Sequence, residues 1–290
     1  MSNLTSEPHL YITDLDGTLL RSDATLSEYS RLTLNRLIEE GLLFSVATAR
    51  GIHSIQTILK GCHVKLPVIE FNGAYISDFV TGEHLTTNAI DPELSQEVYG
   101  LMKEYHGDPF VTTNDGNDHL YYRSLSSQGM KEYYRDRVDI LDKRLKQVDD
   151  LESKLRHEVM CLTVINTKDT LLPLYERLVA EFSDASEIHF WDNMYWPGSW
   201  WLTVQDKYAT KDRAVRQLAE MISHPADEIT VFGDHVQDVQ LFNVGTRKVA
   251  VANAIDEVKK VATHHIGMNE EDSVIKFIES EWTSPSHAVV

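Results

Sequence analysis

The sequence predicts an α/β fold built on a parallel sheet and interrupted by an inserted α+β segment. Short apolar runs alternate with helix-period segments near both ends of the chain, and this alternation is lost between residues 86 and 206. The length of 290 residues points the same way, because it is about twice that of a usual domain. Hydrophobic residues at 42% and charged residues at 25% are typical of a globular protein.

The amino-terminal region contains three predicted strands and one helix with clear ends. The strands are Leu10–Thr13, Leu42–Ala47 and Pro67–Phe71. Ser27 is predicted to cap a helix that ends at Gly41, because serine is a favoured N-cap and glycine a favoured C-terminal stop. Strand, helix and strand at this spacing predict parallel strands joined by a crossover helix.

The same alternation returns near the carboxyl end. Thr210 is predicted to cap a helix with one apolar face, and Ile229–Phe232 and Arg247–Ala252 are predicted strands. Two further helices are predicted to begin near Ile255 and Asp272. We expect both ends of the chain to contribute to one sheet.

The intervening region has a different pattern. Alternating, aromatic-rich segments such as His119–Arg123 and Val159–Ile165 are mixed with helices, which favours an α+β arrangement. We therefore predict a Rossmann-like, three-layer core domain formed by residues 1–85 and 207–290. Residues 86–206 are predicted to form an inserted domain.

Charge and cysteine content exclude several classes of partner. The 45 acidic residues against 27 Lys and Arg give a formal net charge of −18, which opposes binding to nucleic acids and anionic membranes. Cys62 and Cys161 are too few for a disulfide framework or a cysteine-based zinc site. The sequence shows no secretory signal and no apolar run of transmembrane length, so we expect a soluble, cytoplasmic protein.

The most informative motif is Asp14-Leu15-Asp16-Gly17-Thr18, which directly follows the first predicted strand. Ligands of open α/β sheets bind beyond the carboxyl ends of the strands, so its position suits a functional site. Asp14 and Asp16 are two residues apart in a turn that Gly17 allows to bend. Carboxylates this close need a cation between them, or one of them must be protonated.

Other strand ends supply complementary groups. Thr48 offers a hydroxyl donor after the second strand, and Lys211 offers a cation at the start of a helix. Asp234 follows the Ile229–Phe232 strand, and Asp238 lies four residues further on. Carboxylates joined by backbone, water and phosphate oxygens form a typical Mg²⁺ site. The set therefore predicts a phosphate-binding site with a bound Mg²⁺.

The order of these motifs resembles that of the haloacid dehalogenase superfamily of phosphatases. The matching segments are DLDGT at Asp14, VATAR around Thr48, Asn72-Gly73-Ala74, Lys211 and the GDHVQD segment at Asp234. The size and position of the insertion resemble the Cof-type branch, which has a class IIB cap. The resemblance covers the core at both ends of the chain, whereas the cap matches by position and size alone.

The resemblance implies a role for each acidic residue. Asp14 would be the nucleophile that forms an aspartyl-phosphate, and Asp16 would be the general acid and base. Mg²⁺ would be held by Asp14, the backbone carbonyl of Asp16 and Asp234. Asp238 would lie behind the metal ligands and orient them, although an acidic residue in this position can also simply favour the start of a helix.

The resemblance also implies a set of phosphate- and substrate-binding residues. Thr48 and Lys211 would hold the transferring phosphoryl oxygens, with Arg50 and Asn72 close to the substrate. For Arg50 the alternative is a surface cation at a helix start, and for Asn72 it is an ordinary Asn-Gly turn. Gln237 departs from the family pattern, which has Asn there, and its longer side chain could displace a hydrogen bond near the metal.

These observations predict a Mg²⁺-dependent phosphatase that hydrolyses small phosphate monoesters, with sugar phosphates as the favoured class. Two alternatives remain open from the sequence: a phosphohexomutase with the same core, and a non-catalytic phosphate-sensing or phospho-accepting module. The predicted partner is a small phosphorylated metabolite. No nucleic acid or membrane partner is expected, and the protein is predicted to be a monomer or weak homodimer.

Overall fold

A computed structural model describes residues 9–106, 109–225 and 228–282. Its strands are β1 (Leu10–Thr13), β2 (Leu43–Val46), β3 (Val68–Glu70), β4 (Tyr75–Ser77), β5 (His84–Thr87), β6 (Phe110–Asn114), β7 (Asp118–Tyr122), β8 (Leu145–Gln147), β9 (Glu158–Asn166), β10 (Ser186–Asp192), β11 (Trp200–Asp206), β12 (Ile229–Gly233), β13 (Arg247–Ala250) and β14 (His264–His265). Its α-helices are α1 (Glu28–Glu39), α2 (Ile52–Ile58), α3 (Pro92–His106), α4 (Gln128–Asp139), α5 (Lys168–Phe182), α6 (Lys211–Met221), α7 (Val236–Leu241), α8 (Asp256–Val261) and α9 (Ser273–Glu281). None of these helices is both long and apolar enough to cross a membrane.

The chain divides into two compact units. The core unit comprises the chain up to Thr86 and from Thr210 onward, and the inserted unit is Thr87–Ala209. The main sheet of the core unit has the strand order β14-β13-β12-β1-β2, and all of its pairs are parallel. Strands from both ends of the chain therefore share one sheet, as the sequence pattern predicts.

The strand order places helices on both faces of this sheet. From β1 the chain crosses through α1 to β2, whereas from β12 it crosses through α7 to β13 in the opposite direction. Because such crossovers are right-handed, they put α1 on one face and α7 on the other. Helices α1 and α9 contact each other, and α7 contacts α6 and α8. The order reverses between β1 and β12, which is where ligands of such sheets bind.

Burial explains why these segments form the core. The β1 residues Leu10 and Ile12 are fully buried, as are Leu34 and Leu37 on the inner face of α1. Ser27 accepts a hydrogen bond from the backbone N–H of Ser30 at 2.9 Å, so the predicted cap of α1 is confirmed.

Helix α6 begins directly after Thr210, which confirms Thr210 as its N-cap residue, but the Thr210 side chain accepts no hydrogen bond from the helix. The Thr210 hydroxyl donates instead to the carboxylate of Asp212 at 2.7 Å. This bond turns the Thr210 hydroxyl toward Asp212, and no backbone N–H of the first turn of α6 donates to its oxygen.

A small second sheet continues the core unit beyond β2. Strands β3, β4 and β5 form it in that order, and β3 pairs antiparallel with β4. A parallel bridge between Ala47 and Ile69 joins the end of β2 to β3. The end of β3 is thereby brought beside the segment that follows β2.

The inserted unit contains a six-stranded sheet of order β10-β11-β9-β6-β7-β8. Its pairs are antiparallel except for β7 with β8. One cluster of buried side chains packs α3 and α5 onto the sheet, and a second cluster includes Met130 of α4. The predicted fold class, a parallel α/β core with an inserted α+β unit, is confirmed.

Candidate active site

Asp14 lies directly beyond the end of β1, between the strands that flank it. Its backbone N–H donates to the carbonyl of Phe232 in β12 at 3.1 Å, and the Thr13 hydroxyl donates to the Asp14 carbonyl at 2.7 Å. Leu15–Leu19 then forms a turn that is closed by a 2.9 Å hydrogen bond from the Leu20 N–H to the Leu15 carbonyl. The site thus begins at the point where the strand order of the sheet reverses.

Gly17 is required by both its backbone and its surroundings. Its φ of 77° lies in the left-handed region, which glycine adopts without steric cost. A Cβ atom built on Gly17 would lie 2.4 Å from Oδ2 of Asp234. Asn253 donates to the Gly17 carbonyl at 2.7 Å and fixes the turn from outside. No role for Asn253 was expected from the sequence.

Asp234 stands at the end of β12, next to the turn that carries Asp14. The Thr18 hydroxyl donates to Oδ1 of Asp234 at 2.7 Å. Thr18 is part of the DLDGT motif, and its contact with Asp234 was not expected from the sequence. Gly233 allows the close approach of Asp238, since a Cβ on Gly233 would lie 2.4 Å from the Asp238 Cβ.

Lys211 joins two of the carboxylates. Its Nζ donates to Oδ1 of Asp14 at 2.6 Å and to Oδ1 of Asp238 at 2.7 Å, and the side chain is 2% exposed. Burial alone lowers the pKa of an ammonium group, but the two carboxylates outweigh it and raise the pKa of Lys211 above its usual value.

The turn at Gly73 packs closely against the start of α6. A Cβ atom built on Gly73 would lie 2.5 Å from the Thr210 carbonyl oxygen, so only glycine fits at this position.

Asp238 also organises the loop that carries Asp234. Its Oδ2 accepts from the backbone N–H groups of Asp234 and His235, both at 3.0 Å. The side chain is 1% exposed and supports the start of α7 while its other oxygen binds Lys211. The interpretation of Asp238 as an acid at a helix start is confirmed, whereas its orienting role behind a metal ion stays a prediction.

The carboxylates at this site fit a hard divalent cation. Asp14, Asp234 and Asp238 are buried, and one oxygen from each lies within 4.8 Å of the others. Burial, together with the neighbouring carboxylates, raises the pKa of Asp14 well above its usual value despite Lys211. Burial and the charge of Asp238 raise the pKa of Asp234 to about 7. All-oxygen donors with this excess of negative charge are the ligands that Mg²⁺ prefers.

The side chain of Asp16 lies outside this cluster and binds Arg50. Oδ2 of Asp16 accepts from Arg50 Nε and Oδ1 accepts from Nη2, both at 2.7 Å. Arg50 Nη1 also donates to the Ser54 hydroxyl at 3.0 Å. This two-pronged pairing fixes the plane of the carboxylate. Arg50 was expected near the substrate, and its pairing with Asp16 was not predicted.

Thr48 and Asn72 lie side by side at the ends of β2 and β3. Thr48 is 1% exposed, and its backbone N–H donates to Ile69 while its carbonyl accepts from Asn72 N–H at 2.8 Å. Asn72 has a φ of 54° and is buried. Its Oδ1 has no hydrogen-bond partner among the described residues. The Asn-Gly turn is therefore present, and a substrate-binding role for Asn72 stays a prediction.

The chain is similar over nearly its whole length to two proteins of Bacillus subtilis (strain 168), both named 5-amino-6-(5-phospho-D-ribitylamino)uracil phosphatase. YitU is 25% identical over 289 residues, covering 94% of this chain and 97% of YitU. YwtE is 25% identical over 293 residues, covering 92% of this chain and 95% of YwtE.

A solved structure and a family model extend the comparison. The crystal structure of a haloacid dehalogenase-like hydrolase from Bacteroides thetaiotaomicron superposes with a TM-score of 0.78 at 21% identity, covering 95% of this chain and all of that one. A family model described as haloacid dehalogenase-like hydrolase matches residues 11–278, which include every site residue discussed above. The chain therefore belongs to the haloacid dehalogenase-like hydrolase family.

Proposed function

We propose that this protein is a Mg²⁺-dependent phosphatase that hydrolyses small phosphate monoesters through an aspartyl-phosphate on Asp14. The observation that carries the proposal is the buried arrangement of Asp14 and Lys211 beside Asp234 and Asp238. A carboxylate nucleophile next to a fixed ammonium group and a cation-binding cluster has what in-line phosphoryl transfer requires.

The first half of the reaction uses Asp14 and the groups around it. Asp14 attacks the phosphorus, and the ester oxygen leaves on the opposite side. Lys211 orients Asp14 through their 2.6 Å hydrogen bond and offsets the charge of the phosphoryl oxygens. The Thr48 hydroxyl is proposed to donate to one of those oxygens. When bound by Asp14, Asp234 and the Asp16 carbonyl, Mg²⁺ would supply further charge neutralisation.

Asp16 is proposed to transfer the protons of the reaction, and Arg50 is proposed to orient it. Asp16 protonates the leaving oxygen in the first half and takes a proton from the attacking water in the second, so its carboxyl group must be held in one orientation. Arg50 provides that orientation through two 2.7 Å hydrogen bonds. Ser54 in turn steadies the guanidinium group.

The substrate class is proposed from the relatives. YitU and YwtE are named for a substrate that carries its phosphate on position 5 of a ribityl chain. We propose that this protein acts on phosphate esters of sugars or sugar alcohols, and that the inserted unit selects among them.

The direct test of the proposed function is phosphate release by the purified protein. A panel of sugar, sugar-alcohol, nucleotide and aryl phosphates is incubated with Mg²⁺, and inorganic phosphate is measured. We expect release that stops when the metal is chelated, with sugar or sugar-alcohol phosphates giving the highest kcat/KM. Absence of release from every ester would refute the function, and isomer interconversion without release would favour a mutase.

Exchanging Arg50 for Lys is expected to affect esters according to their leaving group. Lys keeps the charge but loses the planar fork that holds Asp16. We expect kcat/KM to fall about 10- to 100-fold for an alkyl phosphate, which depends on proton donation. For 4-nitrophenyl phosphate, whose leaving group needs no proton, kcat/KM is expected to change by less than about threefold.

The measurement compares kcat/KM for both esters, because this ratio covers only the steps up to departure of the leaving group. Arg135→Lys, at an exposed position in α4, serves as the control. Equal losses for both esters would contradict a role for Arg50 in positioning Asp16.

The effect of Mg²⁺ on thermal stability is expected to depend on pH. Both pKa values are raised, so protonation of Asp14 and Asp234 contributes stability that is fully present below about pH 4. For Asp234 this contribution is lost as the pH rises through about 7, and for Asp14 it is likewise lost as the pH rises through its raised pKa. A bound cation offsets the repulsion among the ionised carboxylates. We therefore expect Mg²⁺ to raise Tm by several degrees more at pH 8 than at pH 5, where the protons already provide this effect.

The experiment records Tm at each pH with Mg²⁺ and with a chelator. The Asp234→Asn variant should show a smaller difference between the two pH values. An equal Mg²⁺ effect at pH 5 and pH 8 would show that these carboxylates do not hold the cation.

A further inference from the structure

A second buried polar cluster lies in the small sheet of the core unit, and the proposed reaction does not use it. Glu70 ends β3, Ser77 ends β4 and His84 begins β5. Glu70 and Ser77 are fully buried, and the His84 side chain is 13% exposed. The Ser77 hydroxyl donates to Oε1 of Glu70, and His84 Nδ1 lies 2.7 Å from the Ser77 oxygen and 3.2 Å from Oε1. Because Ser77 donates its only hydroxyl proton to Glu70, the Nδ1 atom of His84 is assigned as protonated and donates to the Ser77 oxygen.

The second oxygen of Glu70 reaches the segment that carries Thr48 and Arg50. Oε2 accepts from the backbone N–H of Ile52 at 2.5 Å. Ile52 is the first residue of α2, and its neighbour Gly51 stands at the N-cap position without a side chain to satisfy the helix donors. Glu70 thus supplies the cap that the local sequence lacks.

Backbone hydrogen bonds join the same two segments. Phe71 N–H donates to the Arg50 carbonyl at 3.1 Å, next to the bonds that link Thr48 with β3 and with Asn72. These bonds fix the path of the segment but leave the start of α2 to Glu70. A buried carboxylate is costly unless donors surround it, so Ser77 and His84 stabilise the cap as well as the strand pairing.

The cluster also reaches the end of the core unit. His84 opens β5, along which the chain passes from the core unit into the inserted unit between Thr86 and Thr87. The His84 ring stacks on Tyr75 with centroids 3.7 Å apart, which further restricts its position. One connected set of side chains therefore links the strand that leaves the core unit to the Thr48–Ile52 segment.

We propose that Glu70 is a positioning residue for phosphate binding, which it serves by holding the Thr48–Ile52 segment, and that Ser77 and His84 hold Glu70 in place. Phosphate binding at Thr48 rests on the proposed function, whereas the holding of the segment does not. The sequence signal is an acidic residue closing an apolar run, Val68-Ile69-Glu70, that is otherwise typical of a buried strand.

The test uses three variants and one matched control. Glu70→Gln keeps the shape but exchanges an acceptor for a donor, Ser77→Ala removes the hydroxyl, and His84→Phe keeps the stacking on Tyr75 but removes Nδ1. Ser45→Ala is the control, because Ser45 is fully buried in β2 and its hydroxyl donates to the Pro67 carbonyl, which is not part of the cluster.

Two measurements are made on each folded variant. The affinity for inorganic phosphate with Mg²⁺ is expected to fall about tenfold in the three cluster variants, about what one hydrogen bond to a charged group contributes. KM for a phosphate ester should rise by a similar factor with a smaller change in kcat. Amide hydrogen exchange in residues 48–52 should accelerate in the cluster variants and remain unchanged in Ser45→Ala.

Unchanged phosphate affinity in the cluster variants would overturn the proposal, even if Tm falls, because it would leave the cluster with a purely structural role. If the unmodified protein neither binds phosphate nor hydrolyses esters, the proposed function fails by itself. In that case the exchange rates decide whether Glu70 holds the segment, and unchanged rates would refute that part as well.

Discussion

Replacement of Asp14 by Asn is expected to lower kcat for phosphate release by at least about 10⁴-fold, because an amide cannot form the acyl-phosphate. The exchange preserves shape and leaves an oxygen to accept the Lys211 hydrogen bond. Burial raises the pKa of Asp14, which means that the folded protein disfavours a charge there. We therefore expect Tm to stay the same or to rise while the activity is lost.

Steady-state kinetics and thermal unfolding of the same preparation test this prediction. Asp256→Asn, an exposed position in the first turn of α8, is the matched control and should keep full activity. Activity of Asp14→Asn within about tenfold of the unmodified protein would exclude Asp14 as the nucleophile.

Replacement of Lys211 by Met is expected to impair both activity and stability. Loss of the cation that orients Asp14 and faces the phosphoryl oxygens should reduce kcat/KM by about 10²- to 10⁴-fold. The variant also leaves Asp14 and Asp238 buried without their shared partner, which should cost about 3–5 kcal/mol in the free energy of unfolding at pH 8.

The two effects of this variant can be separated. Lowering the pH or adding Mg²⁺ should restore much of the stability, because protons or the cation neutralise the remaining carboxylates, but neither should restore kcat/KM. Chemical denaturation and kinetics are compared with those of Lys260→Met, an exposed position in α8. A stable and fully active Lys211→Met variant would contradict the account of the site.

Much of the core unit follows from local sequence patterns. The apolar runs that become β1, β2 and β12 are almost entirely buried in a parallel sheet, and such strands are short, apolar and separated by helices. The position of Asp14 and Asp234 follows from the same pattern, since residues after parallel strands meet at one edge. The proximity of Asp14 and Asp234 could therefore be predicted from the sequence alone.

The hydrogen-bond partners within the site were not predictable in the same way. Arg50 and Asp16 lie 34 positions apart in the sequence. Whether Arg50 binds Asp16 or a substrate depends on the directions of the two side chains in the folded protein. Thr18 donates to Asp234, and Asn253 donates to the Gly17 carbonyl. Both contacts arise only because the loops that carry these residues fold onto each other. Thr210 occupies the predicted N-cap position of α6, but the direction of its hydroxyl, which donates to Asp212, could not be read from the sequence.

The central claim is that Asp14 carries the phosphoryl group, and peptide mass analysis of the Asp16→Asn variant tests it most directly. The variant is mixed with 4-nitrophenyl phosphate and Mg²⁺, quenched in acid and digested. Because water attack lacks its base, the peptide that contains Asp14 is expected to gain the mass of one phosphoryl group, whereas the variant that also carries Asp14→Asn should not. Nitrophenol release without any phosphorylated peptide, or with the phosphoryl group on another residue, would contradict the claim.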